Sequence, residues 1–156
     1  MGVTGCGKTT VGALLAAACG WNFHDADDFH PDANVAKMKR GAPLDDADRR
    51  PWLARLNSFL LESERQGKSL VLACSALKQA YRERLARDCA RLRFVLLDGD
   101  IELIRSRLAA RQGHYMNPAL LDSQFAILER PPDALRLDAA PSPAELVRSI
   151  RKQLEI

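Results

Sequence analysis

The sequence predicts an α/β fold, a parallel sheet flanked by helices on both faces. Three observations predict it. Strand-like and helix-like segments alternate along the whole chain. The run SLVLAC (Ser69 to Cys74) is continuously apolar, as in a strand covered on both sides. The glycine-rich stretch GVTGCGKT runs directly into a helical pattern, as at the turn between a strand and a helix.

The elements follow in order. Lys8 to Cys19 is rich in alanine and leucine and stops at Gly20, which predicts a helix. Trp21 to His24 is a short strand. PDANVAKMK is a short helix with Pro31 in its first turn and Gly41 as its end. From Asp48 to Gln66, Trp52, Leu53, Leu56, Phe59 and Leu60 recur at the helical period, and Gly67 stops the run. Beyond the SLVLAC strand, Lys78 to Ala90 is helical, with Leu77, Tyr81, Leu85 and Cys89 stacked at i, i+4. Leu92 to Leu97 is a strand, and Asp100 caps a helix carrying Ile101, Ile104 and Leu108. Pro118 to Leu128 is a helix ended by a Pro-Pro pair, and ALRLDA is a weak last strand. Ser142, Pro143 and Glu145 form a capping-box start for the final helix, whose apolar face is Leu146, Val147, Ile150 and Leu154.

Composition excludes several function classes. The 156 residues hold 47% hydrophobic and 28% charged side chains, those of one ordinary globular domain spanning the chain. A net charge of +3, mixed along the chain, suits a small anionic substrate and gives no basic tract for nucleic acid. An aromatic content of 6% offers no base-stacking platform. Cys6, Cys19, Cys74 and Cys89 have neither CxxC nor metal-ligand spacing, and the three histidines are scattered. No apolar run approaches the roughly 20 residues that span a bilayer, and no signal peptide is read. The expectation is a cytoplasmic protein with reduced thiols and no membrane partner.

Gly2-Val3-Thr4-Gly5-Cys6-Gly7-Lys8-Thr9 satisfies G-x-x-x-x-G-K-[ST] at each fixed position. Glycines permit backbone N–H groups to wrap a phosphate without side chains in the way. Lys8 reaches the β- and γ-phosphates, the Thr9 hydroxyl is a Mg²⁺ ligand, and the helix directs its positive end at the anion. Gly2 through Thr10 are therefore the expected nucleotide-binding residues. The motif specifies a nucleoside triphosphate and leaves the reaction open.

FHDADDFHP places Asp25 and Asp27 just past the second strand-like run, at the sheet edge where ligands bind in such folds. Phosphorylating an alcohol calls for one carboxylate near the attacking hydroxyl and another near the metal's water shell. D-x-D spacing in an extended segment directs both to one side. GAPLDDADRRPWL and CSALKQAYRERL bring Arg49, Lys78 and Arg82 to the same strand ends, where a carboxylate-bearing substrate would find a guanidinium. RSRLAARQGHYMN adds Arg105, Arg107 and Arg111 on a helix leading to Gly113, a lid region spanning about 107–120.

Over essentially its whole length the chain resembles the gluconate kinases, members of the shikimate-kinase-like group of P-loop kinases. The resemblance rests on the phosphate loop, DADDFHPDANVAKMKRGAPLDDADRRPWL, CSALKQAYRERLA, SRLAARQGHYM and LLDSQFAILERP, the second and third being the most diagnostic. It implies transfer of the ATP γ-phosphoryl group to the 6-hydroxyl of D-gluconate, with Mg²⁺ required and a homodimer possible. It implies Lys8, Asp27 and Arg107 as catalytic residues. Asp27 orients or deprotonates the hydroxyl, and Asp25 holds a Mg²⁺-bound water. Arg49 recognises the gluconate carboxylate, with Arg82 in the same site. Arg107 and Arg111 contact ATP.

The resemblance also implies an apolar central strand before the phosphate loop. Here Met1 stands at that strand's last position, so the first strand is expected to be missing and its neighbours to lack a pairing partner. Two other readings stay open. One is a nucleotide-binding homologue impaired by the missing strand; the other is a kinase of a different hydroxy acid such as shikimate, against which GAPLDDADRRPWL argues.

Overall fold

The computed structural model describes residues 1–110 and 118–156. Its elements are α1 (Lys8–Cys19), β1 (Asn22–Asp25), a 3-10 turn (Ala26–Phe29), α2 (Asp32–Lys39), α3 (Asp46–Arg65), β2 (Leu70–Ala73), α4 (Gln79–Ala86), β3 (Val95–Asp98), α5 (Ile101–Ala109), α6 (Pro118–Ile127), β4 (Leu135–Asp138) and α7 (Pro143–Leu154).

The strands pair in parallel, as two two-stranded sheets. Asn22 to Asp25 lie opposite Leu70 to Ala73, and Val95 to Asp98 lie opposite Leu135 to Asp138. No strand among the described residues lies between β2 and β3. A slot of about 420 Å³ opens there, lined by Val71, Ala73, Val95 and Leu97 and by Val11 and Leu15 of α1. Met1 and Gly2 bridge it. The Met1 amino group donates to the Val95 carbonyl and the Met1 carbonyl accepts from Leu97 N–H (3.0 Å), a parallel-strand pattern against β3. Gly2 N–H then donates to the Ser75 carbonyl at 3.2 Å, just beyond β2.

Two apolar cores lie on opposite sides of the strands. One gathers Val11 and Leu15 of α1, Leu97 of β3, Ile104 of α5, Leu121 of α6, and Leu146, Val147 and Ile150 of α7. The other gathers Trp52, Leu53, Leu56 and Leu60 of α3 with Tyr81 and Leu85 of α4. Strand β2 divides between them: Val71 packs on the first, Leu70 and Leu72 on the second.

Local chemistry sets the element ends. Helix α3 starts two residues earlier than expected because Asp45 accepts from Asp48 N–H (2.8 Å) while the Asp48 carboxylate accepts from Asp45 N–H (2.9 Å). Helix α4 stops at Ala86, short of Ala90. Asn57 of α3 donates to the carbonyls of Leu85 (3.0 Å) and Arg87 (2.8 Å), and Asp88 turns left-handed at φ 60°. In α7 the Ser142–Glu145 capping box forms as read from the sequence. No helix among the described residues is long and apolar enough to cross a membrane.

Candidate active site

The phosphate loop is shaped by glycine. Gly7 caps α1 in a left-handed conformation (φ 101°) that other residues adopt at a cost. At Gly2 a Cβ would stand 2.7 Å from the Leu97 carbonyl oxygen, so the chain passes β3 only without a side chain. Lys8 folds back to donate to the Val3 carbonyl (2.9 Å). Thr4 N–H donates to the Gln124 side-chain oxygen of α6 (2.7 Å).

The acidic loop meets the phosphate loop directly. The Thr9 hydroxyl donates to Asp25 Oδ2 (3.1 Å), and Asp25 Oδ1 accepts from Asp27 N–H (3.1 Å). This departs from the extended D-x-D expectation. The Asp25 carboxylate caps the 3-10 turn, so Asp27 is presented from a helical turn. The turn is held from below, where Trp52 Nε1 donates to the Ala26 carbonyl (2.7 Å). The Asp27 side chain is 87% exposed and stands beside the buried ring of His30, Nε2 to Oδ1 3.9 Å. Desolvation there, followed by the Asp25 charge, pushes its carboxyl above the ordinary aspartate value. His30, when protonated, and Lys8 pull the other way. His30 stacks on Trp52 with ring centroids 4.5 Å apart, and burial lowers its pKa, keeping it neutral at neutral pH.

Beyond Asp27 stands a second cluster. Tyr81 OH donates to Asp46, and Lys78 donates to both Asp46 oxygens at 2.9 Å. Arg49 donates to Tyr81 OH at 3.5 Å, and its guanidinium lies 5.7 Å from the Tyr81 ring centroid. The Tyr81 hydrogen bond, then those from Lys78, hold the Asp46 carboxyl below the ordinary range. Arg49 and Lys78 thus meet on one tyrosine. Sequence reasoning placed Tyr81 on an apolar stripe and passed over Asp46. Its buried ring fits that stripe, but a tyrosine hydroxyl also needs a partner, which was the available signal.

Arg82 behaves differently. It is buried, and its guanidinium donates inward to the carbonyls of Ala76 (3.0 Å) and Leu77 (3.1 Å). It supports the loop between β2 and α4, where Ala76 adopts a positive φ of 44°.

On the other side of the phosphate loop, a cavity of about 280 Å³ is lined by Gly5, Cys6, Gly7, Thr10 and Arg107, with Ala139, Pro141 and Pro143 opposite. Arg107 donates to the Ala140 carbonyl (3.2 Å). Arg105, on the same helix, is paired with Glu102 and Asp122 at 2.7 Å each. Arg111 and His114, with residues 111–117 of the expected lid, lie outside the described residues.

The shikimate kinase family matches residues 4–130. A probable gluconokinase of Mus musculus is 49% identical over 148 residues, covering 84% of this chain and 80% of that protein. A gluconokinase of Gluconobacter oxydans is 50% identical over 133 residues, covering 85% and 75%. The crystal structure of a sugar kinase from Janibacter sp. superposes with a TM-score of 0.91 at 41% identity, covering 100% of this chain and 92% of that one. On these matches the chain belongs to the gluconokinase branch of the shikimate kinase family of P-loop kinases.

Proposed function

We propose that this chain is an ATP-dependent gluconokinase, transferring the γ-phosphoryl group of ATP to the 6-hydroxyl of D-gluconate. The observation that carries the reading is the continuous link Thr9–Asp25–Asp27, which joins the nucleotide loop to a carboxylate of raised proton affinity. The gluconokinase relatives supply the acceptor's identity.

In this reading the acceptor's hydroxyl faces Asp27 and its carboxylate faces Arg49. The P–O bond to the β,γ-bridging oxygen of ATP breaks as a new P–O bond forms to the acceptor oxygen. The hydroxyl proton passes to the Asp27 carboxylate, and ADP leaves. A raised pKa makes Asp27 the better proton acceptor. Lys8, now on the Val3 carbonyl, turns to the phosphates, and Arg107 serves the nucleotide from the cavity beside Gly5. Arg111 is assigned the same partner. Arg82 serves acceptor binding through the loop it holds.

Mg²⁺ is part of the proposal. The Thr9 hydroxyl and the Asp25 carboxylate form an all-oxygen pair within 3.1 Å, a donor set that fits a hard cation retaining several waters. Thr9 would hold the ion directly and Asp25 through water, and the bound ion would neutralise charge on the phosphates. A cytoplasmic location and a homodimer complete the reading.

The test is ADP release by the purified chain with Mg-ATP, alone and with D-gluconate or shikimate. Release that depends on gluconate supports the proposal. Release with shikimate alone would replace the acceptor, and release without any acceptor would leave only a nucleotide hydrolase.

A further inference from the structure

The segment following the lid touches both halves of the site. From α6, Gln124 accepts the Thr4 N–H of the phosphate loop at 2.7 Å. Five residues on, Glu129 N–H donates to the Leu77 carbonyl (2.9 Å), and the Glu129 carboxylate accepts Gln79 N–H at the start of α4. The adjacent Arg130 grips Asp98 at the end of β3 through Nε (2.8 Å) and Nη2 (3.2 Å). Leu121, 1% exposed, anchors the same helix in the core. One short stretch therefore joins the phosphate loop, the loop carrying Lys78 and the end of a strand.

We propose that Gln124 and Glu129 are positioning residues: Gln124 sets the phosphate loop, Glu129 sets the acceptor loop, and their shared segment holds the two loops in register. The inference rests on the kinase reading above. Its physical basis is the tolerance of phosphoryl transfer, which needs reacting atoms about 3–3.5 Å apart, so that a loop displaced by about 1 Å costs roughly 10²-fold. Backbone N–H groups of both loops donate to this segment, the Thr4 N–H part-buried and the Gln79 N–H exposed, so removing either acceptor frees that loop to shift. The contacts span large sequence separations, 120 residues for Thr4 and Gln124. They are thus tertiary ties between the two substrate sites.

The experiment separates this role from ordinary stabilisation by a KM split. Gln124→Leu removes the acceptor oxygen and is expected to raise the KM for ATP roughly fivefold to tenfold, the equivalent of one hydrogen bond, with the gluconate KM unchanged. Glu129→Leu is expected to do the reverse. Gln124→Glu and Glu129→Gln keep an acceptor oxygen and restore the respective constant. All are assayed well below their melting temperatures, and the two conservative variants remain informative if a leucine variant fails to fold. If both leucine variants melt earlier but keep both KM values, or if each raises both constants alike, the assignment is overturned. Should the wild type show no gluconate turnover, the kinase reading fails separately. Titration with a non-hydrolysable ATP analogue then still decides: weaker binding in Gln124→Leu but not in Glu129→Leu supports the tie, and equal binding in both removes it.

Discussion

The Thr9 hydroxyl donates to the Asp25 carboxylate at 3.1 Å, joining the first turn of α1 to the end of β1. This contact fixes the nucleotide loop against the acidic turn, and on our account it is the metal's protein-side seat. Thr9→Val should therefore lower kcat/KM by more than about tenfold and raise the Mg²⁺ concentration for half-activity, while Thr9→Ser retains most of both. A Mg²⁺ titration of each variant reads this out. Chelation of Mg²⁺ in the wild type should abolish turnover without lowering helix content.

On the proposed reading, Asp27 combines a catalytic role with a folding cost. Its carboxyl is harder to ionise in the folded chain than in the unfolded one, because of burial first and Asp25 second. The folded state thus binds the extra proton, and this group's contribution to stability declines as pH rises from the ordinary value of 3.8 through the raised folded value. Asp27→Asn should abolish turnover yet raise the melting temperature at pH 7. The gain should vanish at low pH, where Asp27 is protonated in both states. The acid limb of the wild-type kcat/KM profile should lie above the ordinary aspartate range.

On the proposed reading, Arg49 meets the acceptor with Tyr81 beside it. Arg49→Lys keeps the charge and loses the planar fork, so the KM for gluconate should rise roughly tenfold or more while the KM for ATP holds. Tyr81→Phe removes the hydroxyl that links Arg49 to Asp46 and should give a smaller change of the same kind. Initial-rate kinetics with each substrate varied distinguish the two constants.

Arg82 is predicted to act on stability first. Arg82→Met leaves the Ala76 and Leu77 carbonyls without a charged donor, and should cost about 1.5–3 kcal/mol in urea unfolding. The gluconate KM should rise with the loosened loop. Unchanged stability would place the guanidinium elsewhere.

Local signals made much of this legible in the sequence. Helix α1 begins at Lys8 and ends at Cys19 as expected, because left-handed glycines, Gly7 and Gly20, bound it. The Ser142–Glu145 box set the start of α7. Most of what escaped depended on contacts distant in sequence. The Asp25 cap that turned D-x-D into a 3-10 turn is local, but it competes with an extended reading that fits the same letters. Asn57 ending α4, Arg82 turning inward and Gln124 reaching Thr4 leave no periodic trace, since each is one side chain meeting a distant backbone group.

The most direct measurement is the identity of the product. The chain would be incubated with Mg-ATP and D-gluconate labelled with carbon-13, and the mixture examined by phosphorus–carbon NMR correlation. The account predicts one phosphorylated product, with phosphorus coupled to the terminal hydroxymethyl carbon and ADP formed in equal amount. Phosphorus on any other carbon, or ADP accompanied only by inorganic phosphate, would contradict it.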